Sequence, residues 1–445
     1  MTQTATLGAV LRADAMLVPG EDGSPFRVIA PAECVIDDEG RIAYAGPPRD
    51  TSRPTHELTG QVLMPGLVNG HTHSAMTLMR GVSDDEGFMP WLAAVQGVEQ
   101  GMTRDDVVAG VELAMLEMIA TGTTAFADMY HWDAGLLRLV SDAGMRVFAA
   151  PACLGAEVVG FPGVSFSTGT EVLDETEALA EQFAGDPRIR LGYGPHAPYT
   201  CAPELLRDIR DRALRTGIPV QIHVSESAAE VADITDRYGA TPGRHLAALG
   251  LFDAEVLAAH CVHLTAGEIT TFADHGAAIS HNPVSNLKLG CGIAPLPAFL
   301  DAGVRLALGT DSVASNNSLD LFEEIKTATI LHRGVHQDAA IVRGSDVLDI
   351  ATRRGAAAIG FPDAGAVEVG RFADVITLDI SGAAQAPFTA ERLVSHLAFA
   401  ASGRDVRHVF IGGRHVYADG DYLTLDAAGI LARARASAAR LRATA

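Results

Sequence analysis

Leu63-Met64-Pro65-Gly66-Leu67-Val68-Asn69-Gly70-His71-Thr72-His73 is an apolar run of strand length that stops at two histidines. Spaced two apart on a strand, His71 and His73 leave the same face. Two later segments repeat the design. Gln221-Ile222-His223-Val224-Ser225-Glu226 ends a run with a histidine and, three residues on, a carboxylate. Leu308-Gly309-Thr310-Asp311-Ser312 ends another with an aspartate. His71, His73, His223 and Asp311 together offer three nitrogens and one oxygen. That set suits zinc or a similar divalent ion, with a position left for a water that the metal activates.

Working outward, eight short apolar, β-branched runs stand out: 62–69, 123–128, 146–152, 188–195, 219–224, 255–260, 276–281 and 304–310. Amphipathic stretches such as 105–116 fill the intervals. Eight strand–helix units in one block predict an α/β fold of the (β/α)8, TIM-like barrel type. A doubly wound sheet is the competing architecture, but it leaves unexplained why polar motifs follow so many strands. In a barrel all strand ends open on one face, which gathers residues 71 to 311 into one site. The flanks differ. Residues 8–60 alternate short strands with turns, and a strand-like segment at 370–379 precedes a hairpin at 409–417. Both ends are expected to pair into one small β-sandwich module, followed by a surface helix over 424–443. The expected division is 1–61 for the N-terminal part of that module, 62–365 for the barrel and 366–445 for the remainder.

With 445 residues and 48% apolar side chains, the chain can bury an extensive core. Its 55 acidic against 33 basic residues leave a net charge of −22, a surface that repels phosphate backbones and makes nucleic acid an unsuitable partner. Solubility alone also explains that charge. Cys34, Cys153, Cys201, Cys261 and Cys291 are odd in number and widely spaced, which indicates neither a disulfide framework nor a thiolate zinc site. No basic-then-apolar leader opens the chain, and no segment approaches the length of a membrane span. A cytoplasmic protein is expected.

Further candidates sit at other run ends. Glu226 can reach a metal-activated water without ligating, and so can carry its proton to substrate; a helix-capping carboxylate is the alternative. Ala258-Ala259-His260-Cys261-Val262-His263 supplies His260 as a partner of the attacking oxygen or substrate, with His263 as support or simple structure. Asp311 is costly after so apolar a run unless it meets a cation, and can also accept a proton from the nucleophile; a helix N-cap is the alternative. His196 is flanked by Pro195 and Pro198, which fix its backbone and suit a substrate contact. His281 and Asn282 either line the pocket or serve turn chemistry at Pro283.

Taken in order, these motifs resemble the amidohydrolase superfamily. They are 65–73, Gly194-Pro195-His196-Ala197-Pro198-Tyr199, Ala259-His260-Cys261-Val262-His263, the segment 280–290 beginning Ser280-His281-Asn282-Pro283, and Gly309-Thr310-Asp311. The resemblance covers essentially the whole chain. It is to the cytosine-deaminase-like branch, and most to its 5′-methylthioadenosine/S-adenosylhomocysteine deaminases. It implies one divalent metal, Zn2+ in the first place with Fe2+ or Mn2+ as alternatives, held by His71, His73, His223 and Asp311. It further implies Glu226 as proton shuttle, His260 beside the hydroxide, His196 on the purine and Glu99 on the ribose hydroxyls. Around Glu99 the family's Trp-Pro or Leu-Pro is missing.

Two-metal relatives use a carbamylated lysine after the fourth strand, whereas the only lysines here are Lys288 and Lys326, so a single metal is expected. The cysteine-rich pattern of the cytidine-type deaminases is also missing. Homocysteine-accepting members often carry an arginine after the third strand, where this chain has Ala149-Ala150-Pro151-Ala152-Cys153. The expected reaction is hydrolytic loss of the 6-amino group from a 5′-modified adenine nucleoside. 5′-Methylthioadenosine, 5′-deoxyadenosine, S-adenosylhomocysteine, adenosine and 6-amino-6-deoxyfutalosine all stay open. A guanine- or triazine-type hydrolase with the same metal site is one alternative, a non-catalytic barrel with an assembly role another. The expected partner is a small nucleoside, and homo-oligomers are common among such barrels.

Overall fold

The computed structural model describes residues 8–21 and 23–444; residues 1–7, counted above with the N-terminal part of the module, lie outside them. Eight parallel strands form the barrel: β1 (Leu67–Thr72), β2 (Thr123–Tyr130), β3 (Arg146–Cys153), β4 (Ile189–Leu191 and Gly194–Pro195), β5 (Val220–Val224), β6 (Val256–His260), β7 (Ala278–His281) and β8 (Arg305–Leu308). They pair in the order β4-β3-β2-β1-β8-β7-β6-β5, and a bridge between Tyr193 and Val220 closes the ring. Every residue of β2 and β3 is buried, as expected of parallel strands covered on both faces. The interruption in β4 has local causes. A side chain at Gly192 would strike the Phe148 ring, and Pro195 has no N–H to continue the ladder.

The first expected run, 62–69, divides at Gly66. Its beginning belongs to the strand His56–Pro65, which lies in a second, nine-stranded sheet between Ala9–Pro19 and Val375–Asp379. Only from Leu67 does the chain enter the barrel. Apolarity alone does not mark that break, because both halves are buried. We therefore set the boundary between module and barrel at Gly66. The outer sheet draws strands from both ends of the chain, as expected of the β-sandwich module. The hairpin of Val406–Ile411 and Arg414–Ala418 turns on Gly412-Gly413, whose φ values of 53° and 74° match the primed turn that a two-residue loop requires.

Four helices matter below: α1 (Phe88–Glu99), α2 (Arg104–Ala120), α3 (Ala228–Tyr238) and α4 (Ala427–Thr444), the last being the expected terminal helix. Helix α4 lies on α2, where Arg433 pairs with Glu112 at 2.6 Å and Arg440 with Asp106. None of the described helices is long and apolar enough to cross a membrane.

Module and barrel are joined by a buried ion pair. Arg146, at the start of β3, donates through Nε (2.7 Å) and Nη2 (3.0 Å) to Asp374, while its guanidinium stacks 3.9 Å from the Phe372 ring centroid. Asp374 also accepts from the backbone of Gly412 at 2.7 Å. Removing one partner strands the other charge in the interior, so Arg146→Ala is expected to cost about 3–5 kcal/mol of stability. Urea denaturation checks this, and an unchanged midpoint would show that the pair does not hold the two parts together.

Candidate active site

The three histidines and the aspartate singled out at strand ends converge at one end of the barrel. Nε2 of His223 lies 3.2 Å from Nε2 of His71 and 3.3 Å from Nε2 of His73. Oδ1 of Asp311 is 3.3 Å from His71 Nε2 and 3.2 Å from His73 Nε2. A tetrahedron with bonds of about 2.0–2.1 Å has edges of about 3.3 Å, so the spacing fits one small divalent cation.

The other ring atoms support the same conclusion. Nδ1 of His73 stands 2.6 Å from the Met129 carbonyl, and Nδ1 of His223 stands 2.7 Å from the His196 carbonyl. Both therefore carry their proton on Nδ1 and turn a lone pair inward. Nε2 of the Gln221 amide lies 3.0 Å from Nδ1 of His71, and its Oε1 lacks a partner among the described residues. A half-turn of the amide would bring that oxygen to the ring, satisfy it and give His71 the same tautomer.

Inward-facing lone pairs repel one another unless protons or a metal ion sit between them. Burial pushes His71 down to about 4, and burial with the neighbouring histidines holds His223 well below the usual imidazole range. Burial also opposes charge on His73, but the Asp311 carboxylate outweighs it and lifts that ring to about 9. One proton cannot satisfy four donors; a cation can. Asp311 is itself buried, yet its contacts with His71 and His73 keep it well below the usual carboxylate range. Its second oxygen accepts from Ser285 Oγ (2.6 Å) and Ser315 Oγ (2.8 Å), which leaves Oδ1 for the cluster.

Glu226 stands beside this cluster, buried, with Oε1 3.7 Å from Nδ1 of His260. Burial and the nearby Asp311 and Glu230 carboxylates raise its pKa well above the ordinary value, which favours its protonated form. Glu230, in the first turn of α3, accepts the backbone N–H of Ser225 (2.9 Å) and of Glu226 (2.7 Å), fixing the segment that carries Glu226. His260 has Nδ1 2.9 Å from Asn286 Oδ1, and burial lowers its pKa, so Nε2 is free to accept. Three of these strand ends leave in the left-handed region: Ser225 (φ 52°), His260 (72°) and Asp311 (61°). For residues other than glycine this costs on the order of 1 kcal/mol each, and such outliers gather where a site dictates direction.

The cluster opens into a cavity of about 300 Å3 that Glu99, His196, Glu226 and His260 also line. Helix α1 forms one wall. Glu99, at its last turn, accepts from Tyr130 Oη at 2.8 Å, and burial raises its pKa. Burial holds His196 neutral, down to about 3. The structure thus brings seven of the eight singled-out site residues to the lining of one cavity, with His71 fully buried behind it in the cluster. His263 turns away to the Cys291 carbonyl, 2.8 Å from Nε2, and His281 packs outside the cavity with its ring centroid 5.9 Å from that of His332.

The supporting residues were not picked out from the sequence. Asp128, at the end of β2, accepts from Thr72 Oγ1 (2.8 Å), Trp132 Nε1 (3.0 Å) and the Ser74 backbone, and so shapes the loop carrying His73. It offered the same signal as Asp311, a lone carboxylate closing an apolar run. Glu230 and Ser315 act on partners within one helical turn or so along the chain, a local signal that the strand-end pattern does not contain, whereas Ser285 offered none, since its partner Asp311 comes from the next strand end.

Residues 62–416 match the Amidohydrolase family. A 5-methylthioadenosine/S-adenosylhomocysteine deaminase of Syntrophobacter fumaroxidans is 40% identical over 437 residues, covering 95% of this chain and 97% of its own. The enzyme of the same name from Pelotomaculum thermopropionicum is 41% identical over 418 residues, covering 91% and 94%. Among solved structures, an adenosine deaminase from Xanthomonas campestris with bound zinc superposes with a TM-score of 0.90 at 34% identity, over 98% of both chains. An atrazine chlorohydrolase from Arthrobacter aurescens, at 24% identity and a TM-score of 0.85 over 96% of this chain and 99% of its own, shares the fold. Matched over most of its length, this chain belongs to the amidohydrolase family.

Proposed function

We propose that this protein hydrolytically removes the 6-amino group of a 5′-modified adenine nucleoside, releasing the inosine analogue and ammonia. The observation that carries this reading is a buried Glu226, its pKa raised above the ordinary carboxylate range, beside a four-donor cluster and in one cavity with the Tyr130–Glu99 pair. The names and similarity of the relatives from Syntrophobacter and Pelotomaculum, and of the Xanthomonas adenosine deaminase, support it.

His71, His73, His223 and Asp311 would hold one divalent cation, for which we choose zinc from the N3O donor set and from the zinc in the Xanthomonas structure. When bound, such an ion supplies Lewis acidity that makes water nucleophilic near neutral pH. The chain's own groups do the rest. Asp311 and Nε2 of His260 orient the attacking water and receive its proton as the oxygen bonds to C6. Glu226 gives its proton to N1, so that C6 accepts the oxygen without charge building on the ring. The proton gathered from water then passes to the amino nitrogen, the C6–N bond breaks and ammonia leaves, while the remaining hydroxyl proton on C6 returns to the Glu226 carboxylate, which forms the C6 carbonyl and restores the acid. N1 keeps its hydrogen, as the hypoxanthine product requires.

His196 contacts the purine and Glu99 receives the ribose hydroxyls. A free base or a triazine would leave Glu99 with Tyr130 as its one hydrogen-bond partner and its second oxygen unused, which favours a nucleoside over those alternatives. The substrate is a small molecule. Five free, buried cysteines suit a reducing compartment, and on that ground we place the protein in the cytoplasm.

Chelation should strip one divalent ion per chain, counted by elemental analysis, and abolish turnover; full activity of metal-free protein would refute the reading. Glu226→Gln should keep its metal while kcat falls by about 10²–10⁴. Metal-loaded E226Q with near-normal turnover would remove Glu226 from the proton path. Glu99→Ala should raise KM by about 10–100-fold. It should also erase the preference for ribosides over 2′,3′-dideoxyribosides, measured by the ultraviolet change on deamination.

A further inference from the structure

The cavity has two unlike walls. Strand ends supply the histidines, Asp311 and Glu226. Helix α1 and the loop after β3 supply the other wall, and its chemistry is different. Phe88, Trp91, Leu92 and Val95 follow one helical face of α1 into the cavity, and Glu99 ends that face one turn later. Leu154 and Phe161, from the loop after β3, line the same space. Trp91 is pinned by its indole N–H to the Ala314 carbonyl at 3.1 Å, and Phe161 packs 4.6 Å from the Tyr130 ring centroid. The apolar wall is therefore anchored next to the Tyr130–Glu99 pair.

Resting on the function proposed above, we propose that this wall is the seat of the 5′ substituent and selects an uncharged, apolar one, such as a short alkylthio group, against one ending in a carboxylate. A nucleoside with C6 beside Glu226 and its ribose on Glu99 directs its 5′ carbon along the rest of the α1 face. A thioether is well suited to that surface, since sulfur packs favourably against aromatic rings. A carboxylate is not. Apart from the histidines, every ionisable acid or base lining the cavity that carries a formal charge when ionised at neutral pH is a carboxylic acid: Glu99, Glu226 and Asp311.

Two cations that bond to residues at or beside the cavity, Arg237 through Tyr199 and Lys288 through Ala314, are already committed. Arg237 donates to the Tyr199 carbonyl at 3.2 Å and pairs with Asp233 at 2.5 Å; Lys288 pairs with Asp84 at 2.7 Å. A carboxylate drawn into this wall loses its water and gains no counter-charge.

Charge and length are separated by three substrates. 5′-Methylthioadenosine is the short, uncharged case. S-Adenosylhomocysteine carries four carbons beyond sulfur, with an amine and a carboxylate. 5′-(n-Butylthio)-5′-deoxyadenosine has the same carbon chain without either charge. For metal-loaded wild-type protein, kcat/KM for the butylthio compound should lie within about tenfold of that for 5′-methylthioadenosine, and that for S-adenosylhomocysteine should be lower by at least ~100-fold. Calorimetric binding of the three inosine products should follow the same order. Comparable turnover of S-adenosylhomocysteine would overturn the proposal while leaving the deaminase reading intact. Equal loss for both long substrates would overturn it too, by showing that length rather than charge is read. Turnover of none of the three would remove the deaminase reading, and this proposal with it.

Discussion

Four lone pairs aimed at one point are the constraint around which this barrel is arranged. Nε2 of His71, His73 and His223 and Oδ1 of Asp311 stand within 3.2–3.3 Å of their neighbours in the cluster, closer than uncompensated acceptors tolerate. Each is held by a different piece of backbone or side chain: the Met129 carbonyl, the His196 carbonyl, the Gln221 amide, and Ser285 with Ser315. Polar groups at such depth would be a liability in a core built for packing alone. They make sense as a cradle whose charge is completed by a cation. Left-handed backbone at Ser225, His260 and Asp311 adds to the cost, which the surrounding barrel offsets by burying both faces of its strands.

Three neighbouring carboxyl groups show how environment divides labour. Asp311 touches two imidazoles and stays ionised despite burial. Glu226 is buried near other carboxylates, which pushes its pKa up. Glu230 accepts backbone N–H groups, yet burial still raises it to about 7. On the function proposed above, the same functional group would serve as ligand, acid and brace. Separation of carboxyl pKa values within one site is the arrangement that acid–base chemistry near neutral pH requires.

Much of this was legible in the chain itself. His71, His73, His223, His260 and Asp311 each interrupt an apolar run, so chemical contrast along the sequence marks where strands end and a barrel's working face begins. The two-residue turn at Gly412-Gly413 was equally local. What escaped notice depends on three dimensions. The division at Gly66 separates two buried strands of similar composition that lie in different sheets. Ser285 acts on Asp311, which another strand end supplies, and Glu230 and Ser315 brace near neighbours only once the strand-end turns bring them round. Helix α1 contains a proline and a glycine, and its role as the apolar wall emerges only once Trp91 is seen tied to Ala314.

The most direct test of the account is X-ray absorption at the metal edge of the zinc-loaded protein. The account predicts imidazole nitrogen and carboxylate oxygen scatterers at about 2.0–2.2 Å, three imidazoles per metal, and no second metal. A sulfur shell at about 2.3 Å, or a metal neighbour at about 3.5–4 Å, would contradict it.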